Sequence, residues 1–176
     1  MKKVTNEIID FIVRYGLILV LAIPNFWIFY KLFSPLTTYA VFLLLNFFYD
    51  VSLMEGVIFI SNCFPIEIVS ACIAGSAYYL LFALNLATPK IQIGKRGRII
   101  LLSFACLFVL NLIRILLLSF LFISGSAYLD ITHKLFWYVL STIFVAGIWF
   151  MNVKLFKIKK IPFYSDLKYL YKKIKK

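Results

Sequence analysis

Residues 99–123 read IILLSFACLFVLNLIRILLLSFLFI, an apolar run broken by one formal charge, Arg114. About 20 apolar residues in a helix cross the hydrocarbon core of a bilayer, so this stretch is a transmembrane helix. A cation inside such a helix costs several kcal/mol and is retained for pairing or for function. Arg114 therefore marks this helix as a working one. The rest of the chain is read outward from it.

The whole chain has the same character. Its 176 residues are 64% hydrophobic and the mean hydropathy is +0.98, far above the range of soluble domains. Nothing in the sequence divides it by linker, repeat or low-complexity tract, so it reads as one polytopic membrane domain. The net charge of +12 does not argue for nucleic acid. Its lysines and arginines gather at Lys90–Arg98 and after Lys154, as they do in cytoplasmic segments of membrane proteins. No cleavable signal peptide is expected, because the first apolar stretch is too long for one.

The expected fold is an all-α polytopic membrane protein with about five spans, at Ile12–Phe33, Leu36–Tyr49, Ala71–Ala87, Ile99–Ile123 and Leu135–Phe156. Pro24 is expected to kink the first span, and Pro35 to mark the turn into the second. Residues 1–156 then form an integral membrane catalytic domain, and 157–176 a basic cytoplasmic tail. In that tail Leu167, Leu170, Tyr171 and Ile174 recur at helical spacing opposite lysines, the pattern of an amphipathic helix lying on the inner membrane surface. With both basic segments cytoplasmic, residues 51–70 and 124–134 face outward. The first of these reads as β-rich: Gly56–Ile60 and Phe64–Val69 flank a Ser61-Asn62-Cys63 turn, an external hairpin leading into the helix at Ala71.

This topology brings three reactive side chains to one leaflet. Cys72 opens the third span. Arg114 lies about 13 Å below the outer end of the fourth, at 1.5 Å per residue, with a side chain long enough to snorkel upward. His133 closes the second outer loop. A thiolate is a good acyl nucleophile, and a nearby cation favours it. Histidine moves the proton, and arginine, always protonated, stabilises an oxyanion. Asn111, three residues before Arg114 on the same helical face, can orient it or add a donor. Asp130, three before His133, can fix its tautomer. Cysteines at 63, 72 and 106 form no CxxC or Cys/His cluster, and His133 is the single histidine, so neither metal nor cofactor is expected.

With Ala71-Cys72-Ile73-Ala74-Gly75 entering a helix, Asn111-Leu112-Ile113-Arg114-Ile115 in the next and a later single His133, the chain resembles the exosortase/archaeosortase family, as a minimal archaeal-type member, over residues 56–149. Many members have a small polar residue and then glycine directly after the cysteine, whereas here Ile73 and Ala74 precede Gly75. The resemblance implies a multi-pass cell-membrane transpeptidase of prokaryotes with its active site toward the extracellular face. Such an enzyme recognises a carboxy-terminal sorting signal, cleaves it through a cysteine acyl-enzyme and transfers the protein to a membrane lipid amine. Cys72 would be the nucleophile, Arg114 the oxyanion or substrate-orienting cation and His133 the acid/base.

Plainer readings stand beside these. Cys72 can be a packing residue or a disulfide partner of Cys63; Cys106 is structural. Arg114 can be an ion-pair partner, although Asp50, Glu67 and Asp130 all lie at or beyond the boundary, and His133 can be an ordinary loop histidine. Glu55 and Glu67 read as solvated or structural. The rival function is a small transporter or assembly subunit in which Arg114 binds an anionic ligand or lipid headgroup. An endopeptidase would differ from a transpeptidase only in resolving the acyl-enzyme with water.

Overall fold

The computed structural model describes residues 2–23, 26–61, 64–89, 91–158 and 162. Its helices are α1 (Lys2–Ala22), α2 (Trp27–Asn46), α3 (Ser70–Ile73), α4 (Gly75–Ala87), α5 (Ile93–Ile123), α6 (Leu129–Leu135) and α7 (Ser141–Leu155). Between α2 and α3 stand three short strands, β1 (Val51–Met54), β2 (Val57–Ile60) and β3 (Phe64–Glu67), and a π-helical turn at Phe136–Leu140 joins α6 to α7.

Among the described residues, four helical stretches are long and apolar enough to cross a membrane: Trp27–Asn46, Ser70–Ala87, Ile93–Ile123 and Leu129–Leu155. The expected first span, Ile12–Phe33, does not exist as one helix. α1 ends at Ala22, and Phe26 adopts a left-handed conformation (φ 61°) before α2 begins. α1 is 21 residues long but carries Lys2, Lys3, Glu7, Asp10 and Arg14, too many charges for an apolar span. Pro35 does not separate two helices; it lies inside α2. Such an interior proline is tolerated in membrane helices when neighbouring helices and local adjustment compensate for the lost hydrogen bond. Pro24, Cys63, Lys90 and the expected tail helix lie outside the described residues.

α4 is the hub, packing against α1, α2, α5 and α7. Phe33 of α2 and Tyr78 of α4 stack with centroids 3.7 Å apart and rings nearly parallel, at 8°. Phe29, Ile73, Leu81, Leu107, Val145 and Ile148 complete that cluster across five helices. A buried polar core lies among α4, α5 and α7. Asn85 Nδ2 donates to Ser103 Oγ (3.3 Å), Asn152 Nδ2 donates to the same oxygen (2.7 Å), and Ser103 Oγ donates to Ile99 O (2.7 Å). In an apolar medium an unpaired polar group is costly, so this shared acceptor ties three helices into one register.

The two ends of the bundle differ. At one end basic side chains satisfy helix carbonyls that have no partner within their own helix. Arg96 donates to Leu86 O (2.7 Å) and Thr88 O (3.0 Å), Arg14 to Ala87 O (3.1 Å), and Lys95 to Phe156 O (2.7 Å). These cations also meet the negative ends of α4 and α7. At the other end lies an antiparallel sheet in the order β1-β2-β3, contacting the last turns of α5 through Phe64–Phe122, while Tyr49, just before β1, packs on Phe120. The expected hairpin is therefore present as β2 and β3, with β1 added to it. In β2, Ile58 and Ile60 are fully buried while Val57 and Phe59 are half-buried, the period-two signature of a strand with one face inward.

Candidate functional site

Cys72 sits on α3, a single turn whose first bond runs from Cys72 N to Val69 O (2.8 Å). The turn stops at Ala74, which is left-handed (φ 59°) and separates α3 from α4. An alanine there costs about 1–2 kcal/mol, because its Cβ crowds the following carbonyl. Gly75 follows because Tyr30 lies against it: a Cβ at this position would stand 2.7 Å from the Tyr30 ring. The residues after the cysteine thus turn the chain sharply and seat it close against α2.

From α5, Asn111 Nδ2 donates to the carbonyl oxygen of Cys72 at 2.7 Å. The sequence suggested that Asn111 would orient Arg114; it instead grips the main chain of the cysteine. Cys72 is half-buried and carries a free thiol; Cys63, its candidate disulfide partner, lies outside the described residues. Cys106, also free, packs against the other cluster, on the aromatic core of the bundle.

Arg114 does not snorkel to the surface. It is 3% exposed, enclosed with Asn111, Ala74, Ala77, Ser141 and Phe144 around a void of about 10 Å³. Its Nε and Nη2 are buried without a hydrogen-bond partner. Arg114 and the Cys72 thiol lie within electrostatic reach of each other. The cation is thus buried, unpaired by any carboxylate among the described residues, and close enough to act electrostatically on the sulfur.

Cys72 and His133 face one cavity of about 290 Å³, bounded by β3, α3, α5 and α6. Glu67, Ser119 and Asp130 add polar atoms to its wall, and Ile66, Ile68, Ile115, Leu118, Phe122 and Leu129 make the rest apolar. Arg114 does not line this cavity. His133 is not on a loop but on α6, in a continuous helical stretch from Leu129 to Leu155. It is exposed, as is Asp130. The Asp130 carboxylate meets Lys134 Nζ at 3.4 Å, so the partner found for it is that lysine rather than the imidazole.

Three groups escaped the sequence reading. Glu67, read as solvated or structural, is indeed exposed, and its place at the end of β3 also puts it on the cavity wall. Ser119 faces the same space while donating to Ile115 O (2.9 Å). Ser141 lies beside Arg114 and donates to Phe136 O (2.7 Å), bridging the wide π turn. No local signal announces such a turn, although π turns gather at functional sites. Among the described residues no three His, Cys, Asp or Glu side chains group as metal ligands.

No family model matches the chain, and no match is found among curated proteins or solved structures.

Proposed function

We propose that this protein is a membrane-embedded cysteine transpeptidase of the exosortase/archaeosortase type, acting on the carboxy-terminal sorting signals of exported proteins at the outer face of the cell membrane. The observation that carries the reading is the shared cavity: a free thiol and an imidazole, from segments 61 residues apart, face one space of about 290 Å³. That volume is near the lower end for ligand sites, and the walls are apolar with a few polar groups, as such sites are.

The chemistry follows from the groups. The Cys72 thiol gives its proton to His133, and the sulfur attacks the carbonyl carbon of the scissile peptide. Arg114 acts through space from outside the cavity, its charge favouring the thiolate and the negative charge that develops at the reacting carbonyl. The C–N bond breaks, the imidazolium protonates the leaving amine, and the substrate remains as a thioester on Cys72. An amine on a membrane lipid then attacks the thioester carbonyl, His133 accepts its proton, and the C–S bond breaks to restore the cysteine. Water in place of the amine would give simple hydrolysis. Asn111 acts by fixing the backbone from which the sulfur projects.

The alternative, an anion-binding transporter or assembly subunit, needs room for the anion beside Arg114. The void there is about 10 Å³, the size of a single water. The test is genetic: Cys72→Ala in the native cell should leave exported proteins with motif–helix–basic tails unprocessed in the membrane. Normal processing of every such tail in that strain rules the enzyme out.

A further inference from the structure

We propose that the outer edge of β3 is the docking site for the substrate, which lies there as an extended strand with its scissile carbonyl presented to Cys72; this rests on the peptidase reading above. β3 is the last strand of the sheet, paired on one side only, with Val57↔Glu67 and Ile60↔Phe64 fixing its register on β2. Its other edge borders the cavity, because Pro65, Ile66 and Glu67 all contribute to the wall that Cys72 and His133 share. A peptide must be extended to expose one carbonyl to a nucleophile, and an extended peptide needs a row of main-chain donors and acceptors.

The sequence of β3 restricts which groups are free. Phe59↔Pro65 is a pair in the ladder, and proline is tolerated in an edge strand where its nitrogen faces away from the neighbour. Main-chain groups alternate in direction along a strand, so Glu67 N–H points the same way as the proline nitrogen. The outward groups are then Pro65 C=O and Glu67 N–H, an acceptor and a donor on either side of Ile66. Glu67 C=O is already engaged by Val69 N at 3.2 Å. The site therefore offers a short two-point clamp just before the turn that bears Cys72. The missing proline donor also keeps the edge from pairing indiscriminately with other strands.

The experiment uses the full chain in its native membrane, with a photo-crosslinking benzoylphenylalanine at position 67 or, for comparison, at Ser52 on the far strand β1, in a Cys72→Ala background. Unprocessed precursor should crosslink from position 67 and not from 52. A second pair separates main chain from side chain: Glu67→Pro removes the donor, Glu67→Ala keeps it. Processing by the proline variant should fall about tenfold below that of the alanine variant, the loss expected of one directed hydrogen bond. If precursors accumulate in Cys72→Ala but crosslink equally from both strands, and the two position-67 variants process alike, the docking site is wrong while the peptidase reading survives. If no precursor accumulates at all, the peptidase reading itself has failed.

Discussion

The side-chain amide of Asn111 holds the carbonyl oxygen of Cys72 at 2.7 Å, joining the middle of the long apolar helix α5 to the turn that carries the thiol. This bond fixes the cysteine from outside its own helix, which at four residues is too short to fix it alone. Asn111→Leu removes the donor and leaves a carbonyl with one partner fewer in apolar surroundings. We expect a stability loss of about 1–3 kcal/mol, read by thermal unfolding in detergent. Tail processing should fall further than stability does, by about 100-fold, since small misplacements of a nucleophile are amplified in rate.

Arg114 separates function from folding more sharply. Its two buried, unpartnered nitrogens are a cost to the folded state, and no carboxylate among the described residues neutralises the charge. Arg114→Met, similar in length and apolar, should raise the midpoint of unfolding by about 2–4 °C for each kcal/mol recovered. The same variant should lose processing by about 100-fold or more. Arg114→Lys keeps the charge but not the planar donor set and should also be crippled. A stabilised and fully active methionine variant would assign Arg114 no role in the chemistry.

Gly75 is a packing requirement. Gly75→Ala drives a methyl to 2.7 Å of the Tyr30 ring, and should cost about 1–3 kcal/mol as α2 and α4 are forced apart. Ala74→Gly works in the opposite sense, relieving a left-handed alanine while loosening the unfolded chain, so its net effect should stay within about 1 kcal/mol. Thermal unfolding of the two single variants checks the contrast.

Ser103 accepts from both Asn85 and Asn152. Ser103→Ala leaves two buried amides short of a partner and should destabilise by about 1–3 kcal/mol. Because this network lies toward the basic end of the bundle, away from the cavity, processing per folded molecule should be little changed. A combined measurement of folded fraction and precursor conversion tests this.

What could be read from the sequence depended on range. Apolar runs such as 99–123 announce themselves, and the β-branched and aromatic run Gly56–Ile60 announced a strand, though not which of its four apolar residues face inward. β1 was missed because its turn is Glu55-Gly56, with both residues at positive φ (50° and 84°); Asn-Gly or Asp-Gly is the common signal for such a turn. The break between α1 and α2 was misplaced because only Pro24 and Asn25 interrupt the apolar residues there, and hydropathy alone does not register a left-handed Phe26. Cys72, Arg114 and His133 were singled out from charge and depth. That Asn111 would reach Cys72 rather than Arg114, and that Arg114 would lie outside the cavity, depends on packing between helices, to which neither spacing nor composition is sensitive.

The central claim is a covalent one, a thioester at Cys72. The most direct measurement is intact-mass and peptide mass spectrometry of the protein from cells making an exported precursor, quenched rapidly in acid to trap the intermediate. The account predicts an adduct on the peptide containing Cys72, equal in mass to the substrate acyl chain and removed by neutral hydroxylamine. An unmodified Cys72 in a preparation where the precursor is nonetheless being cleaved would contradict it.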